Sequence, residues 1–410
     1  MPIDYGDTAW VLISSALVLF MTPGLALFYG GMVRAKHILA MLMQNFFAMG
    51  LVAVLWAVVM YSLAFGDAGN EGFIGNFDHV FMRDVTGAVT GTIPTPVFFA
   101  FQLTFAIITP ALMTGAIADR MRFSAWAWLL GLWSILVYAP VAHWVFAGGW
   151  LADRGALDFA GGTVVHVNAG AGALAAILVL GRRRGWPQTP MPPHSLPLTL
   201  LGTGILWFGW FGFNAGSALA ANEVAGIAFT NTFLAASAGM LGWLVVERVK
   251  SGHPTTLGAA SGAVAGLVAI TPCAGFVTGM APIYIGAIAG AVCFLAVSLK
   301  FRFNYDDSLD VIGVHLVGGI IGSVLLGLFA DVAANDAGKD GVFFGGGWEL
   351  FGEQVLAVVA TAVYSFVVTY VICVVLKNVL PGGIRASEEE EATGLDLTQH
   401  SEVGYSFAER

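Results

Sequence analysis

Residues 161–170 read GGTVVHVNAG, a run of small and apolar residues around one histidine, His166, with no charge beside it. Residues 310–319, DVIGVHLVGG, repeat the pattern around His315. VVHVNAG and GVHLVGG both fit V-H-[VL]-x-[AG]-G, with the histidines 149 residues apart. An ionisable group in an apolar span is costly and usually faces a cavity or a partner. A lone buried histidine is most often a satisfied structural group; two at matched positions favour a shared function. Imidazole donates from one nitrogen and accepts at the other. Two rings edge to edge would therefore make a polar strip in an apolar lumen, suited to a small hydrogen-bonding solute or a proton relay.

The chain around these stretches is 58% hydrophobic and 10% charged, with mean hydropathy +0.81. Soluble domains carry about 25% charged residues, so the solvent this composition suits is a bilayer. Eleven apolar runs approach the ~20 residues that cross a hydrocarbon core. They lie near 10–31, 41–65, 96–118, 124–146, 159–180, 197–215, 226–246, 256–272, 280–299, 311–330 and 352–376. The expected fold is an all-α polytopic membrane protein of eleven transmembrane helices. A net charge of −9 offers no basic stripe for nucleic acid. Cys273, Cys293 and Cys373 lack CxxC spacing and read as core packing, without a disulfide framework or metal site. The N-terminal MPIDYGDTAW lacks the basic region of a signal peptide.

Lys and Arg accumulate in cytoplasmic loops. Fourteen of the seventeen basic residues fall in alternate gaps or after the last span: Arg34 and Lys36, Arg120 and Arg122, Arg182 to Arg184, Arg248 and Lys250, Lys300 and Arg302, then Lys377, Arg385 and Arg410. Arg83, Arg154 and Lys339 fall on the other side. The expected orientation is N-terminus outside and C-terminus cytoplasmic, as an odd span count requires. The outer loops are acidic (Asp67, Glu71, Asp78, Asp84 and others), which reads first as ordinary solvation and second as mild cation concentration.

If spans 1–5 and 6–10 are repeats, each has an odd number of crossings. Repeats at about 1–180 and 197–330 then have opposite orientation, the plan of many transport proteins. The final helix, about 352–376, stands outside them, and a tail follows from 381 to 410. Abundant glycine within the spans reads as close helix packing. One difficulty follows from depth. His166 lies about seven residues inside the outer end of its span and His315 about four inside the inner end of its own, so roughly 10 Å and 6 Å deep. They meet only if Asp158 and Asp310 are themselves sunk into the protein. Both aspartates read as helix N-caps, with direct cation binding as the alternative. Aromatic residues crowd 98–123 and 206–223, with Phe101 and Phe105 on one helix face and Trp210, Phe213 and Ser217 following on another span. Rings at a membrane surface are most often anchors; rings converging at one mouth cage a cation.

Four stretches, TGAIADRMRFSA, GALDFAGGTVVHVNAG, GWFGFNAGSALAANE and DVIGVHLVGG, together resemble the Amt/Mep/Rh ammonium transporter family, on the bacterial Amt side. The resemblance runs from MTPGLALFYGGMVRAKH to GLDLTQHSEVGY, essentially the whole chain. It implies two inverted five-helix repeats plus a final helix, and a homotrimer with one narrow pore per subunit in a bacterial inner membrane. It implies an outer ammonium site of Phe105, Phe146, Ser217 and Trp210, and a gate of Phe105 and Phe213 with Phe101 nearby. His166 and His315 become the pore pair near mid-depth, with Asp158 and Asp310 as supporting acids. Where bacterial members usually carry Trp, this chain has Phe146; Trp144 and Trp150 are the candidates to compensate. NH4+ would be recruited by rings and the Ser217 hydroxyl, lose water and a proton at the constriction, and pass the histidines as NH3, with or without the proton. The family implies no cofactor and a tail, including EEEE at 388–391, that packs beneath the trimer beside a cytoplasmic PII-type signal protein. Within transport the rivals are an Rh-type gas channel and an ammonium sensor. From another class, two intramembrane histidines could ligate haem, with His143 a poor third ligand. No HExxH occurs.

Overall fold

The structure is a computed structural model, and it describes residues 2–67 and 72–406. Glu71 and Arg410, counted above among the loop charges, lie outside the described residues. Among the described residues, ten helical segments are long and apolar enough to cross a membrane. They are α1 (Tyr5–Met32), α2 (Ala35–Phe65), α3 (Thr95–Ile117), α4 (Phe123–Asp153), α5 (Gly162–Leu180), α6 (Leu196–Gly216), α7 (Glu223–Ser251), α9 (Ala281–Phe303), α10 (Ile312–Phe329) and α11 (Glu349–Val379). Between the seventh and eighth of these lies α8 (Thr256–Ile270), apolar but shorter. At ~1.5 Å per residue α8 spans roughly 22 Å, less than a hydrocarbon core of ~30 Å. The expected run at 256–272 is therefore helical over most of its length, but only ten of the eleven segments qualify by length. Irregular backbone takes over from Thr271 and is buried through Val277. A small antiparallel pair, Val89–Thr90 with Ile93–Pro94, interrupts the otherwise helical chain between α2 and α3.

Small residues set the helix spacing. A side chain added at Gly202 would meet the Phe28 backbone, and one at Gly209 would meet Met21, so α6 lies tight along α1. The α7–α8–α9 group is closer still. A Cβ at Gly290 would lie 2.0 Å from the Gly239 carbonyl oxygen, and one at Gly286 would lie 2.2 Å from that of Ala235. Packing of this kind replaces the hydrophobic drive that lipid does not supply between helices. Gly290→Leu is therefore expected to force α9 off α7 and destabilise the protein by at least the ~1–3 kcal/mol of an overpacked core. Gly352→Ala, with nothing within 4 Å of its added methyl, is the neutral control. Thermal melting of the two purified variants checks this, and equal melting temperatures would refute it.

The loops rich in Lys and Arg converge at one end. Arg34 pairs with Asp119 at 3.0 Å, Arg183 with Asp306 at 2.8 Å, and Lys300 with Asp310 at 2.7 Å. The tail packs onto this end as α12 (Glu388–Thr393) and α13 (Leu395–His400). Glu391, one residue of the acidic run, is 1% exposed. It accepts from the Arg184 backbone at 2.6 Å and from Arg385 at 2.9 Å. The Leu395 N–H donates to His37 Nδ1, and Asp396 accepts from the Ala40 N–H. Part of a run that composition alone marks as solvated is thus held in place.

Candidate functional site

His166 and His315 sit within about one turn of the N-terminal ends of α5 and α10, each inside a π-helical turn, Gly162–Val167 and Ile312–Leu316. Such wide turns recur at functional positions in helices. The two N-terminal ends meet, and the histidine Nδ1 atoms are 3.3 Å apart. The depth difficulty disappears because the chain ahead of α10 is buried: Asp306, Asp307, Ser308 and Leu309 are all under 10% exposed. Irregular backbone at membrane depth is tolerated where protein surrounds it.

Hydrogen bonding assigns the tautomers. Tyr29 Oη donates to the Leu112 carbonyl at 3.2 Å and lies 3.5 Å from His315 Nε2. With its proton committed, the Tyr29 oxygen accepts from His315 Nε2–H. His315 Nδ1 is then an acceptor, and His166 Nδ1–H donates to it. That leaves His166 Nε2 as a buried acceptor with no partner among the described residues. Both histidines line a narrow cavity of about 10 Å³ whose other walls include Leu25, Ile108, Leu206 and Val264. That is about room for one water-sized centre.

The Phe213 ring lies 6.2 Å from the His166 ring, and the Phe105 ring packs against Phe213 with centroids 4.2 Å apart and planes tilted by 32°. Phe101 meets Phe105 at 5.0 Å. All three phenylalanines are at most 1% exposed. Ser217, one turn beyond Phe213, donates its hydroxyl proton to the Phe213 carbonyl at 2.8 Å. Its oxygen is left to accept.

One residue expected at the outer site lies elsewhere. Trp210 stacks on His166 at 5.5 Å and 18°, and its indole N–H donates to Thr271 at 2.9 Å. Seven helical residues, ~10 Å, separate it from Ser217, too far for one small site. Phe146, near the end of α4, borders a cavity lined also by Tyr61, Phe65 and Phe98. Trp144, offered as its compensation, donates to the Phe73 carbonyl at 2.7 Å and packs on Trp150.

The acids also sort differently. Asp158 accepts from the backbone N–H groups of Gly161, Gly162, Thr163 and Val164 and from the Thr163 hydroxyl. Asp310 does not cap α10: its carboxylate takes Lys300, and its φ is +65°. Asp307 caps instead, accepting from the Val311 and Ile312 N–H groups. Asp158 precedes His166 by eight residues and Asp307 precedes His315 by eight. That equal spacing is the signal that would have selected Asp307. Burial first, and the Asp310 charge second, push the Asp307 carboxyl up to about 7. Tyr29 and the Trp210 stack have no comparable sequence signal.

The model of the Ammonium Transporter Family matches residues 9–405. An ammonium transporter of Mycobacterium tuberculosis is 52% identical, over 99% of this chain and 91% of the relative. The crystal structure of Saccharomyces cerevisiae Mep2 superposes with TM-score 0.88 at 38% identity, covering 94% of this chain and 91% of that one. A structure described as a sensor Amt protein gives TM-score 0.88 at 28% identity, covering 96% and 98%. The relatives are named transporters, which implies a non-enzymatic function, and the apolar helices make this a multi-pass membrane protein. The chain belongs to the ammonium transporter family.

Proposed function

We propose that the protein carries ammonium inward through the lumen between the Phe105/Phe213 pair and the His166/His315 pair. The observation that carries this is an unpartnered acceptor, His166 Nε2, on a mainly apolar cavity behind the closely packed Phe105 and Phe213 rings. NH4+ meets the Phe105 ring face and the Ser217 oxygen, which accepts one of its N–H groups. The closed rings admit no hydration shell, and burial disfavours the charged form of an amine. NH3 then passes along the histidines, donating to His166 Nε2. The linked chain from His166 through His315 to Tyr29 is continuous enough to pass a proton, giving net NH4+ transport.

The same proposal includes eleven spans, N-terminus outside and C-terminus cytoplasmic, in a bacterial inner membrane. It divides the chain into a transport domain, 1–380, with inverted repeats at about 1–180 and 197–330, and a regulatory tail, 381–410. The matched Asp158/His166 and Asp307/His315 spacings support the repeats. The ordered tail supports regulation at the basic face by a PII-type partner, and the family resemblance supports a homotrimer.

The test is current and isotope-labelled ammonium uptake measured together on reconstituted protein. His166→Ala removes the first link of the proton chain, so it is expected to lower ammonium-dependent current by about tenfold or more, the rate equivalent of ~1.4 kcal/mol, while NH3 flux persists. Absence of current from the unaltered protein at every pH would leave an electroneutral gas channel. A sensing role is the second reading, favoured by the likeness to the sensor Amt protein; it predicts saturable ammonium binding without flux in either channel of the measurement.

A further inference from the structure

The end of the molecule that carries the tail holds a cavity of about 240 Å³ between the first turn of α2 and the last described residues. Lys36 borders it from α2, Asp396 and Leu397 from α13, and Glu402, Val403 and Tyr405 from the segment that follows. That segment is pressed onto α2: a side chain added at Gly404 would lie 2.5 Å from Ile38 Cγ2. Tyr405 Oη lies 2.8 Å from His194 Nε2, which fixes the ring as a wall. Leu397 and Val403 are 52% and 67% exposed, apolar surface that the packing of the tail leaves uncovered.

The charged groups around this space have opposite signs and do not neutralise one another. Lys36 Nζ donates to the Ala392 carbonyl and keeps two further N–H groups. Asp396 is 2% exposed; its Oδ1 accepts from the Ala40 N–H at 2.9 Å, while Oδ2 has no partner among the described residues. Glu402 is exposed, and among the described residues its carboxylate has no hydrogen bond or ion pair. A buried acceptor left unmet is costly, so Oδ2 is where a ligand N–H gains most. A simple cation would be repelled by Lys36 and a simple anion by the two acids. A zwitterion satisfies both signs at once. Its positive end must carry N–H groups, because a bare acceptor needs a donor. Volume limits the rest. The cavity equals about eight waters at ~30 Å³ each and falls below the ~300–1,000 Å³ of drug-sized sites, which suits a single amino acid with its side chain against Leu397, Val403 and the Tyr405 ring.

We propose that this cavity is a binding site for a free α-amino acid, its ammonium group on Asp396 and Glu402 and its carboxylate on Lys36, so that the ligand ties the tail to the start of α2. It stands independently of the transport mechanism, because binding is read without flux. The experiment is calorimetric titration of the full chain in detergent with L-leucine, beside isopentylamine, which lacks the carboxylate, and 4-methylpentanoate, which lacks the amine. Saturable leucine binding is expected, with each one-ended analogue about three- to fivefold weaker or worse. Lys36→Met and Glu402→Gln are each expected to weaken leucine by a similar factor, and gel filtration and melting establish that both variants are folded. Leucine is also expected to slow hydrogen exchange at the Ala40 and Leu395 amides, which join tail and α2. Absence of saturable binding, equal binding of either analogue, or indifference to both substitutions would overturn the proposal. So would binding that leaves exchange at those two amides unchanged, by placing the ligand elsewhere.

Discussion

Asp158→Ala is expected to yield no stably folded protein, and therefore no transport. One carboxylate takes five hydrogen bonds at the start of α5: Gly161 N–H and Gly162 N–H at 2.7 Å on Oδ1, and Thr163 N–H at 2.8 Å, the Thr163 hydroxyl at 2.5 Å and Val164 N–H at 3.2 Å on Oδ2. Gly161 to Val164 are buried, so water does not replace the lost acceptor. Each buried donor left unpaired costs about 1–3 kcal/mol. Four backbone groups together approach the ~5–15 kcal/mol that separates folded from unfolded states. Asp158→Asn keeps one oxygen but turns an NH2 toward the donors served by the other, so an intermediate loss is expected. If the carboxylate instead bound the cation directly, Asp158→Asn would melt like the unaltered protein and lose only ammonium affinity. Melting temperature and gel-filtration profile decide between them, and an Asp158→Ala variant with unchanged melting would refute the capping role.

The contact between His166 and His315 is legible in the sequence because its determinants repeat. His166 and His315 announce themselves by a shared six-residue pattern, and the phenylalanine face by helical spacing. Trp210 was misplaced because rotation and depth along one helix are not separated by composition: the segment 206–213 carries five rings, and only packing against α5 tells which one reaches His166. In NYDDSLD the three acids are chemically equivalent in sequence. Their fates diverge only when Arg183, the α10 backbone and Lys300 arrive from separate parts of the chain. The depth estimate failed for a related reason. Span ends were drawn at charged residues, but charges at this end of the molecule are buried against each other and mark no water boundary.

Asp306→Ala is the second severe change expected. Its carboxylate is wholly enclosed, 3.0 Å and 2.8 Å from Arg183 Nε and Nη2, 2.7 Å from the Arg183 N–H and 3.7 Å from Arg120 Nη1. Arg120, also 0% exposed, donates further to the carbonyls of Gly181 and Asp306 and to Ser308. Removing the carboxylate leaves two buried guanidinium groups with Asp119, 3.9 Å from Arg183, as their remaining close acid. Breaking a buried pair from one side costs about 3–5 kcal/mol. The loss reaches the histidine pair because Asp307, the next residue, holds the first turn of α10 and so the height of His315. A proton imitates the mutation. Burial by itself raises the Asp306 carboxyl, but the Arg183 hydrogen bond and the Arg120 and Arg183 charges outweigh it and hold the group below its ordinary value. Its contribution is therefore complete at pH values above the ordinary carboxylate range, near ~4, and is lost as pH falls through the lowered value. The melting gap between the unaltered protein and Asp306→Asn should accordingly be wide at neutral pH and narrow on acidification. A gap that stays constant with pH would mean that the carboxylate's charge is not what holds this end of the bundle together.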